Sequence, residues 1–138
     1  MPANCSPRFF LQLPDFLRMR TLPLFVLLLL AACAQSDSAT PESFVASHEE
    51  NALILDVRTA GEYASGHLDG AININLFAAD FREQVAEYDR ERPVYLYCGS
   101  GHRSGRAAAI LSEMGFESAV NVGGYGALKA AGAEVVEP

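Results

Sequence analysis

Basic residues are scarce in this sequence of 138 residues, which contains ten lysine and arginine residues and seventeen aspartate and glutamate residues. The formal net charge at neutral pH is −7. A protein that binds nucleic acid broadly needs a basic face for the phosphates, and this composition does not supply one. The same deficit argues against docking on anionic lipid through charge. We therefore expect no nucleic-acid partner.

Long apolar runs are also few, and the prominent one is near the front, at residues 22–34, LPLFVLLLLAACA. A membrane span needs about 20 apolar residues, whereas this run is shorter and contains Pro23. Its length suits the apolar region of a secretory signal, and Arg18 and Arg20 just before it suit the positive region. The front of the chain is therefore predicted to be a targeting segment.

The end of this run, LAAC at residues 30–33, resembles the lipobox of bacterial lipoproteins. The resemblance implies cleavage before Cys33 and attachment of a lipid to its thiol. The small polar residues that follow suit a flexible connection. The predicted divisions are a lipoprotein signal peptide at 1–32, a tether at 33–40 and a folded domain at 41–138.

Two alternatives stay open for this leader. It is an ordinary secretory signal if Cys33 is only a small residue, and a start at Met19 makes the signal more compact. Export with a lipid predicts a membrane-anchored protein. In a Gram-negative host we expect the periplasmic face of the outer membrane, because Ala34 rather than aspartate follows the cysteine. After residue 32, seven basic and sixteen acidic residues remain, a net charge of −9.

Cysteine and histidine are scarce as well, with three of each. Their positions lack the spacing of metal ligands, so we expect no metal site. Cys5 lies in the leader and Cys33 would carry the lipid, which leaves Cys98 as the thiol of the exported domain. An oxidising compartment favours paired cysteines, so an unpaired one is either an inert buried residue or a reactive group.

Behind the tether, short apolar runs alternate with segments of helical spacing. Thr40-Pro41 and a capping box from Thr59 to Glu62 mark two helix starts. Such alternation predicts an α/β fold, with crossover connections and a parallel sheet covered by helices on both faces. The predicted strands are 52–55, 71–74, 94–97 and 119–122, and the predicted helices start near residues 41, 60, 77, 104 and 125.

The loop YCGSGHRS at residues 97–104 follows a predicted strand, at the edge of the sheet where ligands bind in such folds. Gly99 and Gly101 let the backbone curl with its amides inward, and the positive end of the next helix also favours an anion. The same field stabilises a Cys98 thiolate and lowers its pKa. Arg103 adds a cation and a planar fork for an oxyanion. A nucleophilic sulfur is predicted, against the alternative of a buried structural cysteine.

Three segments resemble the rhodanese family. Residues 55–74, LDVRTAGEYASGHLDGAINI, look like its motif LDVRxxxEYxxGHIxGAxNI. CGSGHRS at 98–104 is similar to the active loop of single-domain rhodaneses, and NVGG at 121–124 resembles a later element. The resemblance implies a rhodanese-like fold with a five-stranded parallel sheet flanked by helices on both faces. Leu128 stands where the family often has tryptophan.

The resemblance also implies roles for individual residues. Cys98 is expected to be the catalytic residue, as the carrier of a persulfide. The rest of the loop is expected to bind substrate: Gly99, Ser100, Gly101, His102, Arg103 and Ser104. The side chain of His102 is expected to point to solvent. Polar residues of the first motif are expected to support loops and strand ends: Asp56, Arg58, Glu62 and His67.

Sulfur transfer is the activity that the resemblance implies, from thiosulfate or a similar small anionic donor to a thiol or cyanide, with no cofactor. The opening of the loop, CGSG, also resembles mercaptopyruvate sulfurtransferases. Phosphatases of the same fold have five residues between the cysteine and the arginine, whereas four separate Cys98 from Arg103 here. A non-enzymatic interaction module is the other alternative, although such domains often lack the cysteine. A thiol-redox role is weak because Cys98 has no resolving cysteine.

Overall fold

The computed structural model describes residues 38–138; the signal peptide and the lipidation site predicted at Cys33 lie outside the described residues. Short strands and helices alternate along the described part, and none of its helices has the length and apolar character needed to cross a membrane. The elements are α1 Pro41–Ser47, β1 Leu53–Asp56, α2 Ala60–Ala64, β2 His67–Leu68, β3 Ile72–Asn73, α3 Phe81–Ala86, β4 Val94–Cys98, α4 His102–Glu113, β5 Ala119–Gly124, α5 Tyr125–Ala130 and β6 Val135–Val136.

The main sheet is parallel throughout and has the strand order β3-β1-β4-β5. Leu55 of β1 lies beside Leu96 of β4, which lies beside Asn121 of β5. All four strands therefore end at the same edge, and Cys98 is the last residue of β4. The predicted parallel α/β sheet is confirmed.

The prediction of five strands is wrong for the described residues, because the sheet has four. Ser38 makes one isolated parallel bridge to Asn121 on the outer side of β5, where a further strand would pair. Thr40 caps helix α1 two residues later, and Pro41 has no backbone N–H to donate to a strand neighbour. Within residues 38–138, pairing at this edge thus amounts to a single bridge. A separate antiparallel pair, β2 with β6, was not predicted, since two-residue strands carry no periodic pattern.

The helix starts follow the local capping signals in two cases. The Thr40 hydroxyl accepts a hydrogen bond from the Ser43 amide, and the capping box between Thr59 and Glu62 is present, so both predicted starts are confirmed. Helix α3 begins at Phe81 rather than Phe77, because residues 75–78 form a hydrogen-bonded turn. Phe77 is consequently 62% exposed instead of packed.

Apolar side chains cover both faces of the sheet. On one face, α3 and α4 bury Phe81, Val85 and Leu111 against the strands. On the other face, α1 and α5 bury Phe44 and Leu128. Leu128 is fully buried, so it packs in the core at the position where the family often has tryptophan. Helices cover both faces of the sheet, so the loops that follow the strands form the surface at its carboxyl edge.

Candidate active site

Cys98 ends β4 with its side chain buried beneath the following loop. The backbone amide of Gly101 donates to Cys98 Sγ at 3.1 Å, and the Ser104 hydroxyl lies 3.6 Å from the same sulfur. Gly101 has a φ of 90°, in the left-handed region that favours glycine. The loop therefore curls around the sulfur and aims hydrogen-bond donors at it.

Two opposing effects act on the Cys98 thiol. Burial raises its pKa, because a charge is poorly solvated there. Hydrogen bonds from the Ser104 hydroxyl and from the amides of Ser104, Ser100 and Gly101 favour the thiolate, and the net pKa is lowered from the ordinary thiol value. The sulfur lies at the N-terminus of α4, whose dipole acts in the same direction. The site thus favours a nucleophilic thiolate.

Helix α4 begins two residues before the predicted cap at Ser104. Its N-cap is Gly101, and Ser104 lies in the first turn with its side chain buried under the loop. The Ser104 hydroxyl is 2.7 Å from Oδ1 of Asn121, in addition to its contact with the sulfur. The prediction of Ser104 as a helix cap is wrong, because the loop's own glycine adopts the conformation that starts the helix.

Asn121 of β5 ties the loop to the sheet. Its Nδ2 donates to the carbonyl of Gly101 at 3.1 Å, and its Oδ1 accepts from the amide of Gly123 at 3.1 Å. The sequence alone predicts no separate role for Asn121, although a polar side chain within the apolar run AVNV marks the position as unusual. Asn121 supports the loop from the neighbouring strand.

The two glycines that end β5 allow the loop to approach the sheet closely. A Cβ on Gly124 would lie 2.7 Å from the carbonyl oxygen of Gly99. A Cβ on Gly101 would lie 3.3 Å from the Cα of Gly123. Side chains at these positions would push the loop away from β5. The resemblance at residues 121–124 therefore has a steric basis.

Arg103 is held in an ion pair across the site. Its Nη1 and Nη2 donate to the carboxylate of Glu62 at 2.8 and 2.7 Å. The hydrogen bonds from Arg103 lower the pKa of Glu62 to about 2, and those to Glu62 raise the pKa of Arg103. The guanidinium also lies close enough to Cys98 for the sulfur to raise its pKa further. Arg103 is thus paired with a carboxylate while its guanidinium lies beside the sulfur.

The remaining polar residues of the first motif make structural contacts. Arg58 is buried and donates to Asp56 at 2.6 Å and to the carbonyl of Gly66 at 2.6 Å. Its burial lowers its pKa, but the bonds to Asp56 outweigh this and the net pKa is raised. His67 stacks on Tyr63 with ring centroids 3.8 Å apart. These contacts hold strand and loop ends together.

The rim of the loop is formed by exposed residues. Gly99, Ser100 and His102 are exposed, in agreement with the prediction that His102 points to solvent. Within residues 38–138, no three histidine, cysteine, aspartate or glutamate side chains are grouped as a metal ion would require. The described site can therefore hold a small anion over a buried sulfur, with donors from backbone amides.

Comparison with known proteins decides the family. A model of the rhodanese-like domain matches residues 40–131. The chain belongs to the rhodanese family. Among curated rhodanese relatives, thiosulfate sulfurtransferase PspE of Escherichia coli is 43% identical over 70 residues, which are 51% of this chain and 67% of that protein. Thiosulfate sulfurtransferase GlpE of Pseudomonas fluorescens is 35% identical over 85 residues, covering 61% of this chain and 75% of that protein.

Solved structures agree with this membership. One described as a rhodanese with anions from E. coli is 38% identical, with a TM-score of 0.53, and the match covers 62% of this chain and 98% of that chain. The solution structure of a rhodanese-like domain from an Anabaena protein has a TM-score of 0.65 at 24% identity, covering 76% and 81% of the two chains. The second likeness concerns the fold alone. Both place this chain in the rhodanese fold.

Proposed function

We propose that this rhodanese is a sulfurtransferase that moves a sulfane sulfur from thiosulfate, or a similar small anionic donor, to a thiol or cyanide. The observation that carries the proposal is the position of Cys98 Sγ beneath the loop, where the Gly101 amide donates to it at 3.1 Å and the inward donors lower the pKa of the thiol. The names of the curated relatives support the same activity. No residue role in this proposal calls for a cofactor.

The reaction proceeds in two displacements on sulfur. The Cys98 thiolate attacks the outer sulfur of thiosulfate, a new S–S bond forms, and the old S–S bond breaks with its electron pair leaving on sulfite. A thiolate or cyanide ion then attacks the outer sulfur of the persulfide. That sulfur leaves as a new persulfide or as thiocyanate, and the electron pair of the broken bond returns to Cys98. The charge is balanced in each step.

The loop amides have a defined part in this chemistry. The Gly101 amide, 3.1 Å from Sγ in the resting loop, stabilises negative charge on the attacking sulfur. The other inward amides can donate to the outer sulfur of the persulfide. Four residues separate Cys98 from Arg103, and this short loop favours a single sulfur atom over a phosphoryl group with three oxygens. The same length argues against the phosphatase alternative.

Mass spectrometry of the intact protein tests the proposal. After addition of thiosulfate, the protein is expected to gain the mass of one sulfur atom, and cyanide is expected to remove it as thiocyanate. Cys98→Ser should do neither, because an alcohol supplies almost no anion at neutral pH. Circular dichroism of the variant serves as the control for folding. Unmodified Cys98 together with turnover of aryl phosphates would contradict sulfur transfer.

We also propose that Cys33 is lipidated and anchors the protein to a membrane, on the periplasmic face of the outer membrane in a Gram-negative host. The proposal rests on the apolar run at residues 22–34, the arginines before it and the small residues next to Cys33. Lipid attachment would place the described domain at a membrane surface without a spanning helix.

A further inference from the structure

Capture of an anionic donor faces an electrostatic obstacle in this protein. The chain after residue 32 has a net charge of −9, so its overall field repels a dianion such as thiosulfate. The pairing of Arg103 with Glu62 makes this worse, since the two charges at the loop offset each other. Beyond the loop amides and the N-terminus of α4, an unpaired positive charge near the rim would strengthen capture of the donor.

All but one of the lysine and arginine side chains in residues 38–138 are either paired with a carboxylate or far from the loop. Four lysine and arginine side chains are paired with carboxylates: Arg58, Arg82, Arg103 and Lys129. Arg90 and Arg92 lie in the segment before β4, at the edge of the sheet opposite to the end that carries Cys98. Among residues 38–138 this leaves Arg106, which is exposed and makes no ion pair with a described residue.

Arg106 lies on α4, one turn after His102. Residues four apart share a helix face, so the exposed side chains of His102 and Arg106 are neighbours. Side chains of a helix lean toward its N-terminus, so position 106 directs its side chain toward the turn that contains His102. The N-terminus of α4 adjoins the loop around Cys98. The helix positions of His102 and Arg106 therefore put an imidazole and a cation on one exposed face of α4, next to the rim of the site.

We propose that His102 and Arg106 form the capture site for the sulfonate end of the anionic donor, while Arg103 stays with Glu62 and the sulfur. This inference rests on the proposed sulfur transfer and assigns its donor specificity. Arg106 offers a planar fork of N–H donors to the sulfonate oxygens, and the imidazole of His102 offers an N–H in either tautomer. The outer sulfur of the donor then points toward Cys98, and the sulfonate leaves as sulfite.

Steady-state kinetics of the full-length protein, with thiosulfate as donor and cyanide as acceptor, test the proposal. Arg106→Gln should raise KM for thiosulfate by about 3- to 10-fold and change kcat by less than about 2-fold. The reason is that the exposed Arg106 cation helps the donor to bind, whereas the reacting sulfur atoms lie at Cys98. His102→Ala should act in the same direction, and Arg106→Lys should retain most of the wild-type KM because it keeps the charge. Arg90→Gln, which removes an exposed arginine at the opposite edge, is the matched control and should leave KM unchanged.

Two further measurements isolate charge. Added salt screens both the overall repulsion and the local attraction, so the ratio of KM in the double variant His102→Ala/Arg106→Gln to KM in the wild type should fall as salt is added. Methanethiosulfonate, a donor with one negative charge that releases a sulfinate, should be less affected by Arg106→Gln than thiosulfate is.

Failure of the capture site and failure of sulfur transfer give different results. An active wild type whose KM for thiosulfate does not respond to Arg106→Gln, or responds equally to Arg90→Gln, would overturn the capture site and leave sulfur transfer standing. A wild type that gains no sulfur from thiosulfate would overturn the proposed function, and the capture site with it.

Discussion

Cys98 has its sulfur 3.1 Å from the amide of Gly101 and 3.6 Å from the hydroxyl of Ser104, and each of these donors favours the thiolate. The Ser104 hydroxyl has a single hydrogen, which Asn121 Oδ1 also accepts at 2.7 Å. Formation of the thiolate gives that hydrogen a charged acceptor. Asn121 Oδ1 keeps the Gly123 amide as a donor when the hydroxyl turns to the sulfur. The Ser104 hydroxyl can therefore redirect its hydrogen bond to Cys98 when the thiolate forms, and Asn121 Oδ1 is still hydrogen-bonded.

Ser104→Ala is predicted to raise the pKa of Cys98, because it removes the side-chain hydrogen bond that lowers this pKa. The rate of alkylation of Cys98 should increase with pH through its pKa in both proteins, and at pH 7 the variant should react about 3- to 10-fold more slowly. Alkylation rates measured across pH test this. Ser112→Ala, on the exposed part of the same helix, is the control. If the pKa of Cys98 is the same in Ser104→Ala and in the wild type, the Ser104 hydroxyl does not stabilise the thiolate.

Glu62 has a pKa of about 2, lowered from the ordinary value by Arg103. A carboxyl whose pKa is depressed by folding stabilises the fold above its unfolded pKa and loses this contribution as the pH falls toward the folded value. Glu62→Gln should therefore lower the free energy of unfolding at pH 7, and the difference should shrink below about pH 4. The effect should be under about 1 kcal/mol, because the Glu62 side chain is 38% exposed.

Urea unfolding of the two proteins at pH 7 and pH 3 measures this difference. Glutamine retains an oxygen for the capping box at Thr59, so the substitution acts mainly on the ion pair. Glu113→Gln breaks the more exposed pair with Arg82 and should cost less. A deficit for Glu62→Gln that is the same at both pH values would contradict the ion-pair explanation.

At the scale of elements, the active loop keeps its shape because β5 lies directly against it. The carbonyl of Gly99 approaches Gly124 so closely that the β-carbon of any other residue there would lie 2.7 Å from it. Asn121 fixes the same loop three residues earlier on the strand through the Gly101 carbonyl. The end of β5 is therefore a support surface for the loop as well as part of the sheet.

Gly124→Ala is predicted to displace the loop and to destabilise the protein by about 1–3 kcal/mol, because backbone rather than a flexible side chain meets the new methyl group. Persulfide formation with thiosulfate should fall together with stability. Gly126→Ala, only two residues further and in α5, meets nothing within 4 Å and should be neutral or slightly stabilising. Thermal unfolding and intact mass of both variants make the comparison. Equal behaviour of the two alanine variants would contradict the proposed support surface.

At the scale of the whole molecule, the leader is predicted to decide where the domain acts. Cys33→Ser should leave an unprocessed precursor without lipid label, because serine has no thiol to accept the lipid. Metabolic labelling with a fatty acid and membrane fractionation are the measurements. Processing of the variant to a form released from the membrane would favour the ordinary secretory signal. Normal processing with membrane retention would contradict the anchor at Cys33.

Much of the fold was accessible from sequence because the deciding contacts are local. The Thr59–Glu62 capping box joins residues within one turn, and the apolar run that ends at Asp56 needs only burial on both faces to become a strand. The same holds for the position of Cys98 at the end of β4, since parallel strands place their carboxyl ends at one edge. These features follow from the order of residues along the chain.

The partners of the loop could not be inferred in this way, because they come from distant parts of the chain. Arg103 meets Glu62 across 41 residues, and Ser104 meets Asn121 on a neighbouring strand. The fifth strand was also expected, but at the outer edge of β5 the described chain makes one bridge before it turns into α1. The sequence by itself determines which chemical groups are present and where the chain forms local caps and turns. The distances between separate elements are set by the packing of helices against the sheet, and only folding brings a carboxylate, an amide and a thiol to one place.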